Sequence, residues 1–323
     1  MNVLVTGGAG YIGSVTSELL LDGGHNVTVF DNLERGHRSA VDPRADFQHG
    51  DLRNAQQVRD LVKASRPDAI LHFAAYIEVG ESMKAPLEFF ENNTLGGLNL
   101  VRAMVDFDVP KFIFSSTCAT YGRPERVPID EQEKQVPESP YGESKLHLER
   151  ILRWVHDLHE RQTVYLRYFN ASGATEKYGE DHDPETHLIP IILQVAMGKR
   201  ESISVFGDDY DTADGACIRD YIHIVDLAKA HILALESDCS GAFNLGNGNG
   251  YSVKEVIETA RQVTGHPIPS VIAPRRDGDP PRLVANSAKA REQLGWEPAH
   301  PQLSTIIQHA WDWHRRHPNG YDD

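Results

Sequence analysis

Through the first half of the chain, short β-branched and aromatic runs alternate with longer stretches of helical periodicity. NVLVT (2–6) precedes YIGSVTSELLLD (11–22), and NVTVF (26–30) precedes a loop. AILHFAA (69–75) precedes ENNTLGGLNLVRAM (91–104), KFIFSS (111–116) precedes YGESKLHLERILRWVH (141–156), and TVYLRYF (163–169) closes the series. Apolar runs without strict polar alternation suit strands covered on both faces, which predicts an α/β domain with a parallel sheet and crossover helices. After Phe169 the texture changes to polar loops, ASGATEKYGEDHDPETH (171–187) and FGDDYDTADGA (206–216). The reading is a larger domain over 1–169 and a smaller α/β domain over 170–323. Regularity returns at RDYIHIVDLAKAHILALE (219–236), with DYIHIV read as a strand, and at AFNLGN (242–247); segments around 220–246 are expected to pack back on the first domain.

Composition narrows the function. Lys plus Arg number 32 against 47 Asp plus Glu, a net charge of −15 over 323 residues, which disfavours a nucleic-acid-binding surface. Cys118, Cys217 and Cys239 are far apart and form no CxxC, so neither a disulfide framework nor a thiolate zinc site is expected, and a reducing, cytoplasmic setting fits. No apolar run approaches a membrane span, and no basic-then-apolar leader opens the sequence. His156 and His159 read as a solvated or packing face, and no histidine is placed in a metal site.

GGAGYIG (7–13) carries Gly8, Gly10 and Gly13 at GxGxxG spacing and Gly7, Gly10 and Gly13 at GxxGxxG. It lies between a strand and an amphipathic helix, where glycines let backbone amides approach a pyrophosphate at the helix start. That context makes the sheet a Rossmann-type, doubly wound one. Asp31, ending the next strand, is placed to accept from an adenosine ribose and to repel a 2′-phosphate, which favours NAD over NADP; Arg35 and Arg38 are the basic residues that could contest this. Asp51, in HGDLRN, could accept from the adenine amine or simply cap a helix.

In YGESK (141–145), Tyr141 and Lys145 share one helix face, and Pro140 suits a helix start. Lowering a phenol pKa from about 10 toward 7 takes roughly 4 kcal/mol, which Lys145 and a positively charged nicotinamide ring could supply together. Tyr141 would then serve as general base for an alcohol or sugar hydroxyl. Upstream, FSSTCATYG (114–122) offers Ser115, Ser116, Thr117, Thr120 and Tyr121. Ser115 and Ser116 read as strand-end hydroxyls bonding to backbone, and Tyr121 as packing or bonding nearby without doing chemistry.

Together with LRYFN (166–170), CIRDYIH (217–223) and APRRDGDP (273–280), these motifs resemble the extended short-chain dehydrogenase/reductase family, in its nucleotide-sugar epimerase branch. The resemblance implies Thr117, Tyr141 and Lys145 as catalytic residues. It implies that NAD is lined by Gly7, Gly10, Tyr11, Ile12, Gly13, Asp31, Asn32, Asp51, Leu52, Phe73, Ala74, Ala75, Asn92, Tyr141, Lys145 and Phe169. A UDP-hexose would meet Thr117, Tyr141, Asn170, His187, Ser204, Val205, Phe206, Arg219, Arg276, Asp279 and Leu283.

The implied reaction is redox-neutral. Interconversion of UDP-glucose and UDP-galactose would pass through a 4-keto sugar with tightly held NAD, and related proteins commonly form homodimers. Independently of the resemblance, Arg219, Arg275, Arg276 and Arg282 stand out in an acidic chain as candidate phosphate contacts.

Competing readings are epimerisation of another UDP-sugar (UDP-N-acetylglucosamine, UDP-glucuronate or a pentose), 4,6-dehydration and a non-catalytic sensor. A dehydratase carries an Asp-Glu pair after its Thr, where this chain has Cys118 and Ala119. The chain departs from the better-known family pattern in Thr117 for Ser, His187 for Asn, Ile77 for a polar or basic residue, and Leu283 lining the N-acetyl side of the sugar pocket.

Overall fold

The computed structural model describes residues 1–276 and 279–323. Its larger sheet has seven strands, all parallel. The chain runs β1 (Asn2–Thr6), α1 (Tyr11–Asp22), β2 (Asn26–Asp31), β3 (Asp46–His49), α2 (Ala55–Ser65), β4 (Ala69–His72), α3 (Val79–Ser82), α4 (Pro86–Phe89), α5 (Gly96–Asp106), β5 (Lys111–Thr117), α6 (Pro140–His159) and β6 (Gln162–Tyr168). The second half runs β7 (Asn170–Ser172), α7 (Leu188–Ala196), β8 (Ile203–Phe206), β9 (Ile218–His223), α8 (Ile224–Glu236), β10 (Gly241–Leu245), β11 (Gly250–Ser252), α9 (Val253–Thr264), β12 (Ser270–Ala273), β13 (Arg282–Leu283), α10 (Ala288–Leu294) and α11 (Leu303–Arg316).

Strand order in the large sheet is β10-β6-β5-β4-β1-β2-β3. Successive side chains go to opposite faces, so one strand feeds two cores. Val3, Val5 and Ile113 enter the layer built with α1, α8 and α10, whereas Leu4, Phe112 and Phe114 enter the layer built with α2, α5 and α6. Both faces are therefore covered, which is why the runs are apolar throughout. Edge strand β3 is mostly exposed and correspondingly polar.

Residues 241–245 form the outermost strand beside β6, and Ile224, Leu227 and Ala228 of α8 join the core that holds Val15 and Leu20 of α1. The apolar run DYIHIV is not one strand. His223 ends β9, and its ring nitrogen accepts the Val225 amide at 3.1 Å, capping α8 from Ile224 onward. A third group of elements surrounds a separate core of Ile192, Leu193, Val205, Ile257, Ile306 and Trp311, made by α7, β8, α9 and α11. Strand β9 links the parts, pairing with β11 and β13 along Ile218–Asp220 and with β7 along Tyr221–His223.

Candidate functional site

The turn after β1 leads directly into α1, whose N-cap is Gly10. That helix has no capping side chain and no acid in its first turn, so its free amides and positive dipole end are uncompensated. A Cβ at Gly13 would lie 2.2 Å from the Gly7 carbonyl oxygen, so only glycine lets the helix close this tightly on the turn. These features fit a dinucleotide pyrophosphate.

Asp31 is buried at the end of β2, taking the Ala9 amide at 3.0 Å and the Leu33 amide at 2.9 Å. Burial raises its pKa, and those amides counter the rise. Glu34 and Asp51 lie nearby, bridged by Arg53 at 2.9 and 2.6 Å, and Asn32 donates to both. Arg53 is thus neutralised by two carboxylates, leaving an acidic rim that would repel a 2′-phosphate. Arg35 is turned away onto the Asp183 carbonyl at 2.6 Å, and Arg38 lies over the Phe47 ring. Asp51 caps no helix: Asn54 caps α2, accepting from the Gln56 and Gln57 amides, while Asp51 closes a turn onto the Arg53 amide.

Farther along the cleft, Leu52 is buried, and Phe73 packs its ring 4.7 Å from that of His231. The Phe73 and Ala74 amides both donate to the Thr6 carbonyl, which bends the chain off β4 and leaves Ala74 and Ala75 half-buried. Asn92 sits in a wide helical turn, Phe90–Leu95, and donates to Asn93. Tyr11 donates to the Gly173 carbonyl at 2.6 Å, and Ile12 packs partly buried beside it.

Thr117 ends β5, and its hydroxyl oxygen accepts the Ala119 amide at 3.1 Å. Ser139 caps α6 through the Gly142 amide, Pro140 occupies the first turn, and Tyr141 follows, buried. A Cβ at Gly142 would lie 2.6 Å from the Ala119 carbonyl oxygen, so glycine allows the helix start to seat on the turn after Thr117. One helical turn on, Lys145 is buried and donates to the Ser115 carbonyl at 3.0 Å, its ammonium 5.0 Å from the Phe114 ring centre.

Burial lowers the Lys145 pKa to about 7, against a smaller upward pull from Glu149. Tyr141 is pushed well above its ordinary value by burial, with Tyr168 adding to the rise and the Thr117 hydrogen bond opposing it. The expectation that Lys145 would pull the phenol down is not met by the chain alone, because its ammonium is desolvated and committed to the Ser115 carbonyl. Tyr141 rests protonated. Cys118 is likewise held as a thiol, its pKa pushed up to about 12 by burial, so it cannot exchange a proton near neutrality.

Phe169, Tyr121, Ile129 and Ala285 form a small cluster against which Cys118 and Leu283 pack. That cluster ties the end of β6 to the turn after Thr117 and to β13. Asn170 begins β7. Ser204, Val205 and Phe206 lie on β8, paired with Val271, Ile272 and Ala273. Arg276 stacks its guanidinium 4.0 Å above the Phe206 ring centre, and Arg275 pairs with Asp209. Arg219 pairs with Asp279 and donates to the Ile218 carbonyl at 2.7 Å. His187 lies one residue before α7, with Nδ1 on Glu180 at 2.9 Å and Glu185 at 3.2 Å. Asp31, Phe73, Thr117 and Phe169 thus lie at or just past the carboxyl ends of β2, β4, β5 and β6, while Ser204–Phe206 and Arg219 lie on strands of the second half, outside the large sheet.

The sequence model of the NAD dependent epimerase/dehydratase family matches residues 3–246. The chain belongs to that family. It is 54% identical to UDP-glucose 4-epimerase of Halalkalibacterium halodurans, over 99% of this chain and 98% of that one. A solved UDP-glucose 4-epimerase is 50% identical, with a TM-score of 0.96 and 99% of both chains covered. The UDP-glucose 4-epimerase of Bifidobacterium longum, solved with NAD+ and UDP, is 38% identical, covering 99% of this chain and 100% of that one with a TM-score of 0.95. Among the described residues, no helix is long and apolar enough to cross a membrane.

Sequence reasoning about this epimerase/dehydratase family member missed a buried polar network around β5. Ser116 donates to Glu149 at 2.5 Å; Arg167 grips the same carboxylate at 2.9 and 2.6 Å and reaches the Tyr121 hydroxyl, which donates to Asn244 at 2.7 Å. Ser115 pairs with the Tyr168 hydroxyl at 2.5 Å. The two serines thus bond to side chains rather than to strand-end backbone, and Tyr121 is a hydrogen-bonded member of the network. The signal was the spacing of Tyr141, Lys145 and Glu149, four apart along one buried stripe. Asp220 was missed as well: wholly buried, it accepts the Asn247, Gly248 and Ala285 amides, and burial raises its pKa to about 6. The fold also gathers Glu180, His182, Glu185 and His187, although no metal-capable group was expected.

Proposed function

We propose that this chain interconverts UDP-glucose and UDP-galactose by 4-epimerisation through a transient 4-keto sugar, with NAD retained throughout. The observation that carries the reading is the placement of Thr117, Tyr141 and Lys145 at the junction of β5 and α6, beside Cys118 and Ala119, which offer no proton-exchanging pair. The resemblance and the named relatives support it.

Bound NAD supplies a hydride acceptor that returns the hydride, together with a positive charge near the phenol. With that charge in place the phenol, protonated in the chain alone, ionises; Tyr141 then takes the 4-hydroxyl proton and later gives it back, while Thr117 hydrogen-bonds to the same oxygen. Lys145 orients the site from below, anchored on Ser115. Arg219, Arg276 and Asp279, with Asn170, His187 and Ser204–Phe206, hold the nucleotide portion. The hexose turns over against Phe169 and Leu283, whose apolar surfaces impose little orientation.

Residues 1–169 with segments around 220–246 are the cofactor half, and the rest of 170–323 is the substrate half. We read the enzyme as cytosolic, in keeping with free Cys118, Cys217 and Cys239. We also read it as a homodimer joined through the helices of the cofactor half, where Met83, Leu87, Leu95, Trp154 and Leu158 are exposed.

Purified protein given UDP-galactose and no added NAD should yield UDP-glucose and release NAD on denaturation; absence of both outcomes overturns the reading. A second reading, acceptance of UDP-N-acetylglucosamine, is favoured by Leu283, which is smaller than an aromatic, and the same assay with that sugar decides it.

A further inference from the structure

Between β7 and α7 the chain folds a loop that brings four metal-capable side chains to one point: Glu180, His182, Glu185 and His187. One donor atom from each lies within 4.8 Å of all the others, and among the described residues no other group converges this way. The separations are 2.9 Å (His187 Nδ1 to Glu180 Oε1), 3.2 Å (His187 Nδ1 to Glu185 Oε1), 3.4 Å (His182 Nδ1 to Glu180 Oε1) and 3.7 Å (His182 Nδ1 to Glu185 Oε2). A tetrahedral zinc site with bonds near 2.0–2.1 Å places neighbouring donors about 3.3–3.4 Å apart. With Glu185 donating through Oε2, the edges of 2.9, 3.4 and 3.7 Å straddle that value.

Two further features point to a cation. Both glutamate side chains are only 5% exposed, so two carboxylates share a dry pocket that favours positive charge between them. A pair of imidazolium ions could supply that charge, and such ions make charge-assisted hydrogen bonds of about 2.7–2.9 Å. His182 does not. Its Nδ1 is buried without a hydrogen-bond partner, and both carboxylates lie too far away for such a bond. That spacing suits co-ligands of one ion. With neutral imidazoles the four side chains carry −2, matching a divalent cation. Glu185 is further fixed by the Thr186 and His187 amides, each at 2.8 Å, the kind of outer support that orients a ligand.

We propose that Glu180, His182, Glu185 and His187 bind one divalent transition-metal ion, of which Zn2+ is the best chemical match. All four positions come from protein, so the ion is structural and fastens residues 180–187 together. His187 coordinates through Nδ1, which leaves Nε2 for the nucleotide. The site touches the cofactor half through His182, whose ring meets Tyr11 edge-on at 6.4 Å. It is separate from the His223, His300 and His309 cluster, where His223 and His309 bond to each other at 2.9 Å.

The test uses the full-length protein with its cofactor, dialysed against a chelator and then against Zn2+, with bound metal counted by mass spectrometry. Wild type and His309→Ala should each take up about one Zn2+ per chain, and His182→Ala and Glu185→Gln should lose affinity by at least about 100-fold. Cobalt(II) in place of zinc should give the intense visible bands of a tetrahedral site. Substoichiometric uptake by wild type, or equal uptake by His182→Ala, overturns the proposal. Should a variant fail to fold, the wild-type cobalt spectrum decides alone: tetrahedral bands support the site, and a weak octahedral spectrum or none overturns it.

Discussion

Replacing Lys145 with Met removes an ammonium while keeping most of its buried stem. Burial holds this lysine near pKa 7 against its ordinary 10.5. Between those values the unfolded chain binds a proton that the folded chain has shed, so the stability contributed by this site rises with pH across that window. At about pH 6.5 the buried ammonium costs several kcal/mol, and at about pH 9.5 most of that cost is gone, a difference of about 3 kcal/mol. The variant escapes that cost. Loss of the hydrogen bond to the Ser115 carbonyl and any change in packing are independent of pH and cancel in the comparison. Urea unfolding of both proteins, freed of NAD, should show the gap in favour of Lys145→Met shrinking by about 3 kcal/mol from the lower pH to the higher. Turnover should collapse in the same variant. A gap that stays constant or widens with pH would refute the claim that the charge of this lysine opposes folding.

Tyr141→Phe should keep NAD and fold normally yet lose turnover by about 100- to 10,000-fold in a coupled UDP-galactose assay, the usual worth of a general acid–base group. Gly13→Ala places a methyl group 2.2 Å from the Gly7 carbonyl oxygen, so the purified variant should carry little NAD, read by absorbance after denaturation. Leu283→Tyr should lower kcat/KM for UDP-N-acetylglucosamine more than for UDP-glucose, because a ring added beside Phe169 takes up the space an N-acetyl group needs; an unchanged ratio would remove Leu283 from the sugar pocket.

The element pattern was readable because its physics is local. NVLVT, KFIFSS and TVYLRYF are apolar on both faces since helices cover both sides of a parallel sheet, and GGAGYIG declares a strand-turn-helix junction through its glycines. DYIHIV misled for a local reason too: apolar content does not distinguish a strand from the first turn of a buried helix, and the His223 cap that ends β9 acts through a side chain. Asp51 was ambiguous because Asn54, three positions on, competes for the same cap and holds it.

By itself the sequence determined the strands of the sheet and the glycine-rich turn after β1, and it nominated Thr117, Tyr141 and Lys145, because each of these readings depends on neighbours a few positions away. Tertiary structure alone decided what depends on burial and on partners far along the chain. Tyr141 and Lys145 have pKa values moved by desolvation, which spacing cannot express. Ser116, Glu149, Arg167, Tyr121 and Asn244 become one network only when β5, β6, α6 and β10 assemble. Arg219 meets Asp279 across 60 positions, and two buried glutamates meet two histidines because a loop folds back on itself. The charge of a side chain is written in the sequence; the dielectric and the counter-charge that decide its behaviour exist only once the chain has closed around it.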